Sequence, residues 1–459
     1  MNFHEFMIIE LKSLLTKDVF NKMLNLTLQF KEYKKRYYYW ELSTKSSMKY
    51  LEDVDFYNHL NSLLLNGNTQ LSMKTYYFNT EWVLNKLVNP MTNIHKLYFC
   101  MLSYTITDDF IKKIENVQIL ELIRNYSITD ECCLHLSNIK TLHTLNLNCC
   151  GKITDEGIKH LGNIHTLKLE SMNIITDEGI KHLGKCHTLN LSRNHHITDE
   201  GVKHLGKVHT LNLNWCNKIT YECLKYLGNV HTLSLLDCSS LTDGSLKHLS
   251  KIHTLKISSC DKITDNGLKH LENIHTLNIT YCYNIKNVSH LAKCYELNLS
   301  GCNKITDEGI KHLGKVHTLN LSGCNKITDE GIKHLGKCHT LELSRCSKIT
   351  DEGIKYLGKV HTLDLRWVNL TDEGIKYIVN VNILTISCKT ITDIGVRLLK
   401  KVQKLKMYDA DHISIKTKRT TQAKIMILDD IDGDYYSDGD YYSDDDLDSD
   451  SDEDIITTI

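Results

Sequence analysis

The sequence predicts an α/β solenoid, short parallel strands backed by short helices, and three observations predict it. One unit, clearest from Ile305 as ITDEGIKHLGKVHTLNLSGCNK, returns fourteen times between Ile106 and Ile391. Its starts are mostly 22 residues apart, and a fixed period of that length marks units that cannot bury their apolar sides alone. Inside the unit one periodicity gives way to another. Leu319 and Leu321 alternate, so both face one side of a strand while Asn320 and Ser322 face the other. Ile332 and Leu335 then fall three apart, as on the inward stripe of a helix.

Between strand and helix lies Thr-Asp-Glu-Gly. Thr328 or Asp329 can cap the helix, Glu330 suits its positive end, and Gly336 is expected to supply a left-handed exit. Leu313, Val316, Leu319, Leu321 and Cys324 spell L-x-x-V-x-x-L-x-L-x-x-C. This resembles the leucine-rich repeat, and the cysteine resembles its cysteine-containing subfamily, over about two thirds of the chain. The resemblance implies a horseshoe with parallel strands on the concave face. Spacing alone implies the same curve, because paired strands stand about 4.8 Å apart and packed helices roughly 8–10 Å.

Taken in order along the chain, residues 1–45 form a head without the repeat. Phe6/Ile9, Leu11/Leu14/Leu15 and Val19/Phe20/Met23/Leu24 have helical spacing, with Thr16 able to cap the middle segment. Glu5-Phe6, Leu14-Leu15, Asp18-Val19, Phe30 and Trp40 together resemble a divergent F-box, which implies docking onto a Skp1-type subunit of a cullin ubiquitin ligase. Phe6, Ile9, Leu14, Leu15, Val19 and Phe30 would then be the docking residues. Phe3-His4 stands where that family opens with Leu-Pro. The competing reading of the head is a plain helical cap over the first rung. Residues 46–93, with Trp82 and Leu87, read as a helical cap or linker.

The solenoid itself is read over residues 94–415, with fifteen rungs from Leu97/Phe99 to Leu405/Met407. Two units are irregular. That from Ile128 carries three extra residues around Ile139–Leu142, and that from Ile285 lacks Thr-Asp and is two residues short. A longer outer connection is expected in the first and a local change of curvature near Asn287 in the second.

Residues 416–459 turn from basic to acidic, with disorder expected from about residue 429. Residues 429–454 hold fourteen acidic groups and no Lys or Arg, which leaves the remainder of the chain basic although the net charge is only −1. Such a division suits intramolecular screening, capture of a basic partner, or a merely solvated tail. Ser437, Ser443, Ser449 and Ser451 each precede acids, a pattern similar to casein-kinase-2-type sites. A single proline, abundant Asn, Ile, Lys and Tyr, and near-identical units resemble the repeat proteins of giant amoebal DNA viruses of the Mimivirus kind.

Seventeen cysteines do not read as a disulfide framework. Eight (Cys150, Cys216, Cys238, Cys260, Cys282, Cys302, Cys324, Cys346) occupy one ladder position that Asn125 and Asn194 fill elsewhere, where a thiol can bond to turn backbone. Free structural thiols suit a reducing compartment. Glu5 and Glu10 interrupt the only early apolar run, so neither a signal peptide nor a membrane span is expected. The placement is cytoplasmic or nuclear, in the host cytoplasm if the protein is viral.

Catalytic, cofactor-binding and metal residues are assigned to none. His317, His339 and His361 recur because the unit recurs, and Cys186-His187 and Cys338-His339 should point to opposite faces. The strand face offers more. Most rungs present Asn, Ser and Thr, whereas Arg193, Trp215, Asp237, Tyr281, Arg345, Arg366 and Trp367 concentrate interface chemistry. Trp215 and Trp367 share one column, which Gly301 and Gly323 fill in other rungs, and they read either as anchors or as packing over neighbouring rungs. Alternating charge disfavours nucleic acid. The expected function is a non-enzymatic interaction module, an F-box-type substrate adaptor whose concave face binds an unidentified target protein. The alternative is a repeat scaffold without ligase connection whose acidic tail engages basic proteins.

Overall fold

Each rung begins as a strand because Leu alternates with small polar residues, and ends as a helix because Thr-Asp-Glu-Gly interrupts that alternation. The computed structural model describes residues 38–42, 69–75, 94–100, 106–114, 117–237, 240–420 and 424–427. Side chains are described for 106–114, 117–237 and 240–417. The head residues Phe6, Ile9, Leu14, Leu15, Val19 and Phe30, the serines Ser437, Ser443, Ser449 and Ser451, and Cys238 lie outside the described residues.

Two units carry the chain, Met1–His196 and Ile197–Ile459. In the first, seven strands pair in parallel in chain order: β1 Tyr38–Leu42, β2 Thr69–Thr75, β3 Ile94–Cys100, β4 Ile119–Ile123, β5 Thr144–Asn146, β6 Thr166–Lys168 and β7 Thr188–Asn190. In the second, eleven do the same. They are β8 Thr210–Asn212, β9 Thr232–Leu235, β10 Thr254–Ser258, β11 Thr276–Thr280, β12 Glu296–Asn298, β13 Thr318–Asn320, β14 Thr340–Glu342, β15 Thr362–Leu365, β16 Ile383–Ser387, β17 Lys404–Tyr408 and β18 Lys424–Ile427. Register in the second unit is strict, Leu319 facing Leu297 and Leu341, so the leucines form a continuous column there, whereas β2 and β3 of the first unit slip by one residue between Leu71 and Ser72.

The core of each rung is that column with its helical partners. Leu319, Leu321, Cys324, Ile327, Ile332 and Leu335 are all fully buried. The ladder cysteines behave as thiol donors. Cys302, Cys324 and Cys346 donate to the carbonyls of Ile279, Leu299 and Leu321 in the preceding rung at 3.2, 3.3 and 3.2 Å. Asn194 does the same with its amide, reaching Leu169 O at 2.7 Å and Leu191 O at 2.8 Å. Burial pushes the Cys150 and Cys346 thiols up to about 12, so they stay protonated and able to donate.

Thr, not Asp, caps the helix. Thr328 Oγ1 accepts the Glu330 N–H, while Asp329 reaches to the next rung, its two oxygens accepting the Thr350 N–H at 2.8 Å and the Thr350 hydroxyl at 2.7 Å. The glycine follows from this clamp, since a Cβ on Gly353 would collide with Asp329 Oδ1. Thr, Asp and Gly of the consensus are therefore one inter-rung device.

One expectation is corrected. Gly336 makes no left-handed exit: among the described residues only Gly301 and Gly323 are glycines with positive φ. Gly336 is glycine because a Cβ would strike the Tyr356 carbonyl of the next rung. Most helices are a single turn, as in Asp329–Ile332. Among the described residues before β3, strands β1 and β2 join the ladder. At the other end the helix Ile415–Thr420 and β18 extend the ladder past residue 415.

The irregular units behave in two ways. Extra residues after Ile128 build the eight-residue helix Asp130–Ser137, with Ile139 and Leu142 buried behind it. Near Asn287 the clamp breaks. Asp265 still reaches the backbone of Lys286 and Asn287, but this rung has no Asp of its own, so Thr306 N–H falls back on Lys286 O at 3.3 Å. A 3-10 turn, Ser289–Leu291, replaces the helix.

Candidate functional site

Strand exits force an unusual backbone. In the rung of β14 the Arg345 N–H donates to Arg366 O of the next rung at 2.9 Å, and the Cys346 N–H turns back to Leu343 O at 3.2 Å. A turn closed this way while the ladder continues puts its third residue at positive φ, where glycine is favoured. Glycine is mostly absent. The column runs Arg124, Cys149, Ser171, Arg193 in the first unit, and Trp215, Asp237, Ser259, Tyr281, Gly301, Gly323, Arg345, Trp367, Asp409 in the second, with φ between 52° and 72°. A bulky residue held there costs roughly 1–2 kcal/mol.

Six of the seven strand-face residues singled out from sequence stand in this column: Arg193, Trp215, Asp237, Tyr281, Arg345 and Trp367. Arg366 is the strand-face residue beside it. The structure brings three of them together. The Arg345 guanidinium lies 4.6 Å over the Trp367 ring, and Arg366 lies 5.3 Å from both the Trp367 and Tyr408 rings. Asp364 holds Arg366 through Nε at 3.0 Å and Nη2 at 2.9 Å. Trp367 is therefore partly packing, since arginines and Tyr408 cover it, and it is half-buried. The Tyr281 ring fills the space a Gly301 Cβ would need and Gly301 is buried, so half-buried Gly323 is the rung of side-chain-free backbone before Arg345. Arg193 pairs with Glu170 at 3.8 Å. The Asp237 N–H donates to Ser258 Oγ at 3.2 Å.

Tyr408 and Asp409 escaped the sequence reading because their rung lacks the consensus. The two glycines sharing a column with tryptophan were the available signal that backbone conformation, not surface chemistry, governs that position.

Strand entries carry a second column. In the first unit His143, His165 and His187 stack at 4.1 and 4.4 Å between ring centroids. In the second, His209, His231, His253, His275, Tyr295, His317, His339 and His361 stack in one run at 4.3–5.0 Å. Each histidine's Nδ1 meets the hydroxyl of the following threonine, as at His317–Thr318, 3.2 Å. Burial, then neighbouring imidazoles, hold His165, His231 and His253 below the ordinary histidine value. Parallel rings do not converge on a point, and among the described residues no three His, Cys, Asp or Glu form a metal-holding group. Cys186 and Cys338 are buried beside exposed His187 and His339, as opposite faces require. Among the described residues no helix is long and apolar enough to cross a membrane.

A family model for the leucine-rich repeat matches residues 138–162, 187–206, 248–271, 296–314, 315–336, 339–358 and 359–379. Similar solved structures include an internalin (inlF) of Listeria monocytogenes, 22% identical, with a TM-score of 0.41 over 65% of this chain and 81% of that one. The Rad7–Elc1 complex of yeast is 14% identical, with a TM-score of 0.38 over 84% of this chain and 98% of that one. Internalin C2 (inlC2) of Listeria monocytogenes is 20% identical, with a TM-score of 0.35 over 46% and 91%. No curated protein matches the chain. The 22-residue period, the leucine and cysteine columns and the seven matched stretches identify the chain as a leucine-rich-repeat protein.

Proposed function

We propose that this protein is a binding scaffold that holds a target protein along its strand-exit column, without catalysis of its own. One observation carries the reading: bulky Arg, Trp and Tyr side chains persist at backbone positions that favour glycine. Retained strain points to use of the side chain, and these residue types anchor protein interfaces. The backbone at Gly323, one rung before Arg345 and carrying no side chain, would admit a partner's main chain close to the strands.

The finer reading is that of a substrate adaptor. Residues 1–45 would recruit a Skp1-type ligase subunit through Phe6, Ile9, Leu14, Leu15, Val19 and Phe30, on the strength of their F-box-like order. The test is binding of the full chain to a Skp1-type subunit, beside a version lacking residues 1–45 with its circular dichroism checked. Binding lost on truncation supports the adaptor; absence of binding by the folded full chain leaves only the scaffold. For the column, capture from cell extract is compared with Trp215→Ser/Tyr281→Ser/Arg345→Ser. Proteins retained equally by both would sink it.

A further inference from the structure

The last rungs of the second unit bring together charge and aromatic surface at one edge. Arg345, Trp367, Arg366 and Tyr408 are stacked across β14 to β17 at the strand exits. Lys404 and Lys406 are exposed on β17, and Lys389 is exposed at the turn after β16, 3.8 Å from Asp409. Asp364, Asp409 and Glu342 are the acids on the same edge. Over residues 389–424 the sequence has ten Lys or Arg against three Asp.

The chain itself supplies the complement, and the ladder delivers it there. β18 pairs with β17 in parallel, Met407 opposite Ile427, so the backbone leaves the sheet at Ile427 on the edge that holds Tyr408. Two residues later begins the run of fourteen acids without a base, containing Tyr435, Tyr436, Tyr441 and Tyr442 in two copies of Asp-Gly-Asp-Tyr-Tyr-Ser. Trp367 lies three strands from β18, roughly 14 Å at the usual strand spacing. About five extended residues cover that distance, so Asp432 already reaches the rung of Trp367 from Ile427, and Asp434 and Tyr435 reach it with two to three residues of slack. A tether this short gives an effective concentration on the order of millimolar.

We infer that the acidic tyrosine segment, residues 429–446, docks on the Arg345–Trp367–Arg366–Tyr408 edge of its own chain, with Lys404 and Lys406 beside it. Asp carboxylates meet the lysines and arginines while tyrosine rings stack on the guanidinium–indole platform. The target would then compete with the tail for the Arg345 end of the column, a consequence that rests on the column being the target-binding surface.

The test is zero-length carbodiimide cross-linking of the full chain, using an equal mixture of unlabelled and 15N-labelled protein, with the products mapped by mass spectrometry. Same-isotope links from acids of 429–446 to Lys389, Lys404 and Lys406 are expected. They should fall at least five-fold in 1 M salt. They should also fall several-fold with Tyr435→Ser/Tyr436→Ser/Tyr441→Ser/Tyr442→Ser, which leaves every rung intact. Tail links to helix-side lysines such as Lys333 and Lys355 as frequent as those to Lys404 and Lys406 would overturn the proposal. So would links found only between differently labelled chains, which would assign the tail to a second copy. Failure here with partner capture still lost in the column variant would leave the binding-scaffold reading standing.

Discussion

Arg345 and Ser259 show what a single residue contributes, because both obey the same backbone and only one has interface chemistry. Ser259 sits at φ 54°, is exposed, and donates its N–H to Thr280 O at 3.0 Å, a bond glycine keeps. Ser259→Gly should therefore stabilise the chain by about 1 kcal/mol, read by urea unfolding; a loss of stability would mean the strain argument is misplaced. The stacked imidazoles make a different prediction. Two unit charges 4 Å apart repel by about 1 kcal/mol even in water, so adjacent rings resist joint protonation. His165, His231 and His253 have folded values below the ordinary 6.5. The unfolded chain therefore binds more protons as pH falls through 6.5, and stability present above that value is lost below it. Unfolding at pH 7.5 and 5.5 should show this fall, and His231→Gln/His253→Gln should flatten it. An unchanged slope in the variant would refute the assignment. Carboxylates lowered by lysine partners, such as Glu308 beside Lys311, act in a separate window below about 4.5.

At the scale of the element, one rung is stable only through its neighbour. The Asp329 clamp on Thr350 supplies a helix start with a backbone partner and a hydroxyl partner at once. Asp329→Ala should destabilise by about 2 kcal/mol, the usual loss for hydrogen bonds to a charged group. Gly353→Ala alone should also destabilise, because its methyl meets Asp329 Oδ1. Combining them should cost less than the sum by at least about 0.5 kcal/mol, since the carboxylate causing the clash is gone. Strict additivity in the double-mutant cycle would show that the glycine serves something else, such as the contact with Ile332.

At the scale of the molecule, a stack of rungs is as cooperative as its interfaces allow. In the second unit the break is at 285–291, where the clamp fails, the Thr306 N–H reaches Lys286 O at 3.3 Å in place of a carboxylate, and a 3-10 turn stands in for a helix. Hydrogen exchange should be faster over 286–291 than over 329–335, two rungs on, where the clamp is intact. Equal protection would mean that the buried Ile285, Val288 and Leu291 hold the rung without it.

The sequence by itself determined the solenoid, the leucine and cysteine columns and the two irregular units, because these depend on periodicities within twenty-odd residues that any one rung displays. It also singled out Arg193, Trp215, Asp237, Tyr281, Arg345 and Trp367 of the strand-exit column, as types unlike the Asn, Ser and Thr around them, but not Tyr408 or Asp409. Only the tertiary structure decided what Asp329, Gly336 and Arg345 do. Their partners, Thr350, the Tyr356 carbonyl and Arg366 O, lie a whole rung away in sequence and meet them only when the strands are in register. The same holds for the histidines. Read one unit at a time they are exposed polar residues, and only stacking at the strand spacing couples them. Local pattern sets what a rung is; contact between rungs, set by strand register and backbone turn, decides what its residues are for.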